Sequence, residues 1–413
     1  MTPGRGSVVV SSTERLGGIV QIHARNQTPS QGAYIGLQQG SSKFYVPIAA
    51  RRKTTASGLA NSQIIIQNAD STSFNVTVDL ILESAITYTK TINNLAPGVS
   101  FYYDLEEETN LPDNWIGSAV VTAGSSGKLS VVSNLFLGPD GLQTFNAFPV
   151  ESAGTKWVAP LFFVRLANGL STTLTVQNIS GAPIAAAGVA LDCTKDTTIF
   201  PDGPVTIAVS NPAEIPNNAS YSFNPVTDSV MFPYSPWGGS CRIDSGSANT
   251  VVYLQMRFVG VAFAGVGAYE AIREGTTDRT MVVPLVAKRL SNGFASVVTI
   301  QNMNFTGSAI VNLHYVPSSI ECPVAICDRN SDGVVNASDA VDIGPFTILA
   351  GASLQRNHRL GGGPAAETAL PDGWVGSLFV TSSDSPIHGM VQLTNYLVFT
   401  GDTLMAHNAF TIP

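Results

Sequence analysis

Short runs of alternating apolar and polar residues dominate this chain, and the same runs return at domain-sized intervals. Ile64-Ile65-Ile66-Gln67-Asn68, Leu174-Thr175-Val176-Gln177-Asn178 and Val298-Thr299-Ile300-Gln301-Asn302 superimpose without gaps. Ile64/Ile66, Leu174/Val176 and Val298/Ile300 fall on one face of each run, the period-2 signature of a half-buried antiparallel strand. The closing Asn suits a turn, where its side chain can satisfy nearby backbone groups. An apolar run carrying Pro precedes each one: Tyr45-Val46-Pro47-Ile48, Trp157-Val158-Ala159-Pro160-Leu161 and Met281-Val282-Val283-Pro284-Leu285. There the Pro predicts an edge strand or a strand start and suits no central strand.

A second landmark recurs as Leu111-Pro112-Asp113-Asn114-Trp115-Ile116-Gly117-Ser118 and Leu370-Pro371-Asp372-Gly373-Trp374-Val375-Gly376-Ser377, with a looser copy ending Pro236-Trp237-Gly238-Gly239-Ser240. Each turn feeds a β-rich run, and Gly4-Arg5-Gly6-Ser7 followed by Val8-Val9-Val10 reads as a fourth, eroded copy. Trp115, Trp237 and Trp374 stand 122 and 137 residues apart, so the chain is a tandem array. About seven short strands per unit predict an all-β fold of tandem antiparallel β-sandwiches of immunoglobulin-like build. The units are expected at 41–150, 151–276 and 277–413. Residues 1–40 match only the second half of a unit, Gly18-Ile19-Val20-Gln21-Ile22 aligning with Gly389-Met390-Val391-Gln392-Leu393. Two or three strands cannot bury a sandwich core alone, so the rest is expected either upstream or from a neighbouring molecule.

Composition narrows the class. Of 413 residues, 44% are hydrophobic and only 12% charged, which excludes a disordered polyelectrolyte. A net charge of −8 without a basic stripe argues against nucleic acid as a partner. Apolar runs are too short to predict a transmembrane segment. Met1-Thr2-Pro3-Gly4 does not open a signal peptide, but the repeat phase places it in the middle of a unit.

The succession of Pro-Leu strand, Gln-Asn strand, Leu-Pro-Asp-Gly-Trp-Val-Gly-Ser, Ser-Asp-Ser-Pro-Ile and Asn-Ala-Phe resembles a repeat of large secreted and surface proteins of filamentous bacteria. The resemblance spans nearly the whole chain and is best over 281–413. It implies an extracellular or cell-surface, structural or adhesive role, and it carries no catalytic residues.

One motif points to a metal. Asp328-Arg329-Asn330-Ser331-Asp332-Gly333, followed by Val334 and closed by Asp339, fits a calcium loop over 328–339. Side-chain oxygens of Asp328, Asn330 and Asp332, the Val334 carbonyl, Asn336 and Asp339 are the expected ligands. The loop resembles half of a dockerin, but one copy stands where dockerins carry two, and Gly344-Pro345 breaks any following helix. The even set Cys193, Cys241, Cys322 and Cys327 suits disulfides in an oxidising compartment, expected as Cys193–Cys241 and Cys322–Cys327.

Trp115, Trp237 and Trp374 repeat at one structural place and read as corner plugs rather than sugar platforms. Glu106-Glu107-Glu108 reads as a solvated charge run. Neither a G-x-S-x-G elbow nor H-E-x-x-H is present, and no enzyme is expected. The expected role is a structural subunit of an extracellular bacterial filament, sheath or surface layer, with itself as the main partner. An adhesin stalk or carbohydrate-binding scaffold that meets surface glycans is the alternative.

Overall fold

The computed structural model describes the chain apart from residues 1–5, 7, 11, 15, 25–29, 38, 56–57, 83–84, 139–140, 198, 201–204, 260–264, 276–277, 396, 398–402 and 413. Most of the Gly4–Ser7 copy therefore lies outside the described residues. The described chain is almost all antiparallel β. An opening hairpin, β1 (Ile19–Ala24) and β2 (Ser30–Ile35), forms a two-stranded sheet.

The first complete repeat contains β3 (Lys43–Arg51), β4 (Lys53–Thr55), β5 (Gly58–Asn68), β6 (Phe74–Leu82), β7 (Ala85–Leu95), β8 (Ser100–Asp104), β9 (Trp115–Ala123), β10 (Leu129–Leu137), β11 (Gly141–Asn146) and β12 (Phe148–Pro149). They build one sheet in the order β12-β3-β9-β6-β7 and another in the order β11-β10-β5, with β4 and β8 paired along the other edge of β5.

The second repeat contains β13 (Lys156–Val164), β14 (Leu170–Asn178), β15 (Ala190–Lys195), β16 (Thr206–Ser210), β17 (Ser220–Phe223), β18 (Trp237–Asp244), β19 (Thr250–Phe258), β20 (Val266–Glu270) and β21 (Ile272–Arg273). Its sheets run β16-β15-β18-β13-β21 and β17-β14-β19-β20. The third repeat contains β22 (Thr280–Ala287), β23 (Phe294–Asn302), β24 (Ala309–Pro317), β25 (Val341–Ile348), β26 (Ser353–Asn357), β27 (Val375–Ser382), β28 (Ile387–Asn395), β29 (Leu404–Asn408) and β30 (Phe410–Ile412). Its sheets run β25-β24-β27-β22-β30 and β26-β23-β28-β29.

The repeated residues have repeated physical jobs. Asn68, Asn178 and Asn302 are fully buried at the ends of β5, β14 and β23. Each amide donates to carbonyls of the following loop and of a nearby strand end or connection: Thr72 and Leu95 for Asn68, Ala182 and Ile215 for Asn178, and Gly307, Ile348 and Leu349 for Asn302. Those loops thus gain partners that no strand ladder supplies.

The Pro-bearing strands correct the edge expectation. β3, β13 and β22 lie inside their sheets, and Pro47, Pro160 and Pro284 are tolerated because the pairing skips there. The register jumps from Val46 to Ala49, from Ala159 to Phe162 and from Val283 to Val286. A bulge leaves the position unpaired, so the missing N–H breaks no ladder bond.

The Trp-x-Gly pair has a steric cause. Trp115, Trp237 and Trp374 are all buried, at 2%, 0% and 1% exposure. A Cβ on Gly117, Gly239 or Gly376 would stand 2.1, 2.0 or 2.2 Å from the carbonyl oxygen of Ile81, Thr194 or Val316. On Gly117 and Gly376 it would also meet the Trp ring at 2.8 Å. Only glycine lets the neighbouring strand close under the indole.

The repeats close on one another instead of hanging as beads. β2 packs on β11 and β29, and β20 packs on β11 and β29, so the four closing strands form a ring. One main-chain bond recurs in all four units: Gly36 N–H to Gly18, Ala147 to Val131, Ala271 to Val252 and Ala409 to Gly389. Between units, Asn146 Nδ2 donates to the Ile35 carbonyl at 3.0 Å and Asn408 Nδ2 to the Glu270 carbonyl at 2.8 Å. The Asn146 N–H donates to Glu270 Oε1 at 3.0 Å. Ala33, Leu393 and Met405 pack where β2 meets β29. The apolar core of the first two repeats runs on into the third through Met390, Leu404 and Ala406.

Candidate functional site

The first and third repeats share Glu-Thr-x-Leu-Pro-Asp-x-Trp, ending at Trp115 and Trp374, and its Glu leads the densest polar cluster. In the third repeat Glu367 is fully buried, and its Oε2 accepts from Arg356 Nη2 at 2.8 Å and Nε at 3.1 Å. The Tyr315 hydroxyl donates to the same oxygen at 3.3 Å. His358 stands 3.1 Å from the Tyr315 hydroxyl through Nε2 and 3.1 Å from the Ser296 carbonyl through Nδ1. Lys288 Nζ donates to the carbonyls of Glu367 at 2.6 Å and Leu370 at 2.5 Å.

Burial sets the charges. It pushes His358 down to about 4, against the pull of Glu367, and lowers Lys288 from its ordinary value. It also raises Tyr315, with Glu367 adding to the effect, so the phenol stays protonated. Tyr315, His358 and Glu367 have no exposed surface, and Trp374 meets Tyr315 edge-on at 5.7 Å. The cluster ties β22, β24 and β26 to the Leu370–Trp374 turn; general acid–base work would need a substrate within hydrogen-bond reach of groups sealed here.

The first repeat holds a reduced version. Glu108 is buried and does not belong to a solvated run; only Glu106 and Glu107 are exposed. It accepts from the Tyr103 hydroxyl at 3.0 Å and Asn110 Nδ2 at 2.7 Å, with Lys90 at 3.6 Å. Burial alone would raise its carboxyl, but these donors and Lys90 outweigh it and hold it below the usual range. Recurrence of Glu-Thr three residues before Leu-Pro was the signal that separates Glu108 from its two neighbours.

The 328–339 loop is built from its own backbone donors. Asp328 accepts from the N–H of Asp332 at 3.1 Å and Gly333 at 2.8 Å, and Asp332 from Val334 at 2.8 Å. Asp339 is 1% exposed, accepts from Arg329, Asn330 and Asn336, and is held below the usual carboxylate range by those bonds. Asn336 caps the turn through Ser338 N–H, and its Nδ2 reaches the Val334 carbonyl at 3.4 Å. Gly333 takes φ 85°, the left-handed conformation that the sharp turn needs. Among the described residues no group of three or more Asp, Glu, His or Cys side chains converges as a metal cluster. The donor set is mixed carboxylate, amide and carbonyl oxygen, the chemistry a hard cation takes.

Both cysteine pairs are joined, as expected. Cys193 on β15 and Cys241 on β18 are direct cross-strand partners. Cys322 and Cys327 close a loop around a single helical turn, Val324–Cys327, immediately before Asp328. Two disulfides fit an oxidising compartment. Among the described residues no helix is long and apolar enough to cross a membrane.

A shallow cleft lies between the second and third repeats, lined by Pro160, Phe163, Phe200, Thr299 and Ser353. No family model matches the chain, and no curated protein matches it. Among solved structures, Thermotoga maritima 1070 is similar at 13% identity, over 27% of this chain and 97% of that one, with a TM-score of 0.23. The serine-rich repeat protein Srr2 of Streptococcus agalactiae is similar at 8% identity, over 68% of this chain and 85% of that one, with a TM-score of 0.10. Neither value carries an argument about this chain.

Proposed function

We propose that the chain is a structural subunit of an extracellular bacterial assembly, a filament, sheath or surface layer, in which it associates mainly with copies of itself. The observation that supports this reading is the locking of repeats into one block. Ser118 Oγ donates to the Asn218 carbonyl of the next repeat at 2.6 Å, and Ser240 Oγ to the Gly351 carbonyl at 2.9 Å. Together with the ring of closing strands, these bonds favour a rigid building unit. The outer edge strands β7, β16 and β25 are its surfaces for side-by-side association, and few charges oppose such contact.

In this reading the 328–339 loop holds Ca²⁺ through Asp328, Asn330, Asp332, the Val334 carbonyl, Asn336 and Asp339, stiffening the segment after the Cys322–Cys327 staple. Electron microscopy of natively isolated material is the test: regular filaments or sheets are expected. Dispersed particles that bind a glycan array would replace the reading with an adhesin stalk or carbohydrate-binding scaffold. Hydrogen exchange with and without a chelator tests the metal. Loosening confined to 328–344 is expected, and equal protection would remove calcium from the proposal.

A further inference from the structure

The second repeat departs from the other two at one corner. Pro47, Pro160 and Pro284 are each followed five residues later by an arginine: Arg52, Arg165 and Arg289. All three hold the left-handed backbone conformation, at φ 44°, 33° and 45°, so the turns after β3, β13 and β22 present a guanidinium at one recurring place. In the first and third repeats the residue two before the corner Trp is an aspartate that answers this charge. Asp113 lies 3.6 Å from Arg52, and Asp372 lies 3.5 Å from Arg289. In the second repeat that position is Ser235, whose hydroxyl donates to the Arg165 carbonyl at 2.6 Å and brings no carboxylate. Arg165 is exposed and forms no ion pair among the described residues; its guanidinium lies 5.7 Å from the centre of the Phe232 ring.

The segment that delivers Ser235 is rebuilt as well. Leu111 and Leu370 plug the core four residues before the corner Trp in the first and third repeats, whereas here Met231 is the buried residue, six before it. That change of frame leaves Phe232 and Tyr234 facing outward at 38% and 39% exposure, with Val230 at 51%. Asp228, the only carboxylate in 224–236, is engaged by its own turn, its Oδ1 accepting from the Val230 and Met231 N–H groups at 2.8 and 3.0 Å. Exposed aromatic side chains beside an arginine that lacks an acid form a surface for a ring that carries a carboxylate. The backbone here is already used: Leu166 N–H donates to the Leu170 carbonyl, Tyr234 N–H to Met231 and Ser235 N–H to Phe232. Recognition therefore rests on side chains, which suits a sugar ring and not an extended peptide adding as a strand.

We propose that the Arg165–Phe232–Tyr234 corner binds an acidic glycan, with a uronate carboxylate paired to the Arg165 guanidinium and the sugar ring against the exposed aromatic side chains. The chain's net charge of −8 repels a polyanion, so retention of one reports this corner and not bulk attraction. The inference goes beyond the assembly reading and does not need it, since a subunit that never polymerises would carry the same corner.

The test titrates the whole protein calorimetrically, at low salt, with an oligogalacturonate and with the same oligomer after reduction of its carboxyls to alcohols. Binding of the acidic oligomer alone is expected. Arg165→Gln keeps the side-chain length without the charge and should weaken binding about tenfold or more, the factor a charge-assisted hydrogen bond gives. Ser235→Asp installs the residue that the first and third repeats carry and should weaken binding similarly, by pairing Arg165 from within. Arg52→Gln and Arg289→Gln remove charges that Asp113 and Asp372 already answer and should bind as the parent does. Absence of binding, equal binding of the reduced oligomer, or an equal loss in Arg52→Gln overturns the proposal. Equally tight binding of an oligoglutamate overturns it too, because the corner would then select charge without a ring. The presence or absence of filaments decides only the structural reading.

Discussion

Glu270 offers the sharpest test of the ring. Its backbone and carboxylate both face other closing strands, and desolvation pushes its pKa from 4.5 up to about 7, with the Asn146 N–H offsetting only part of the effect. A carboxyl whose folded pKa exceeds its unfolded value is bound more tightly to its proton in the native state. Its contribution is therefore complete below the unfolded pKa near 4.5 and is lost as pH rises toward 7. Integrating that difference from pH 5 to pH 8 gives a loss of at most about 2.5 kcal/mol, an upper bound because the residue keeps some contact with water. Glu270→Gln keeps an oxygen for the Asn146 N–H and cannot ionise. Urea midpoints of both proteins, read from tryptophan fluorescence at pH 5 and pH 8, should coincide closely at pH 5. At pH 8 the variant should be the more stable. Equal pH dependence in the two proteins would refute the argument that this carboxyl is desolvated at the ring.

The remaining predictions concern individual repeats. Gly239→Ala places a methyl against the Thr194 carbonyl and should cost about 3 kcal/mol or more in the second repeat, checked by urea denaturation. Glu367→Ala strands the buried Arg356 guanidinium and should destabilise the third repeat by about 3–5 kcal/mol, whereas replacing Glu106 should change the urea midpoint little. His358, depressed to about 4, contributes stability that is present above pH 6.5 and lost as pH falls toward 4. His358→Gln should flatten that acid limb in the thermal unfolding of the third repeat, and an unchanged limb would assign it to carboxylates instead.

Periodicity made the strands legible because alternation is a local property: a strand with one buried face must write it at every second residue. The Gln-Asn ends were readable because they repeat, and the Cys322–Cys327 pair because only 5 positions separate its members. Pro47, Pro160 and Pro284 were misread as edge markers because sequence shows the missing N–H but not the bulge that excuses it. Glu108 was hidden among Glu106 and Glu107, since burial depends on Tyr103 and Lys90, which reach it through the fold.

The chain's own pattern of residues determined that it would be an array of antiparallel sandwiches with a buried Trp and a Gly at each corner. Only the tertiary structure decided that the sandwiches close into a ring, and that Glu270 is desolvated within it. Those outcomes depend on which closing strand meets which across units more than a hundred residues apart, and no local run of side chains encodes such a meeting by itself.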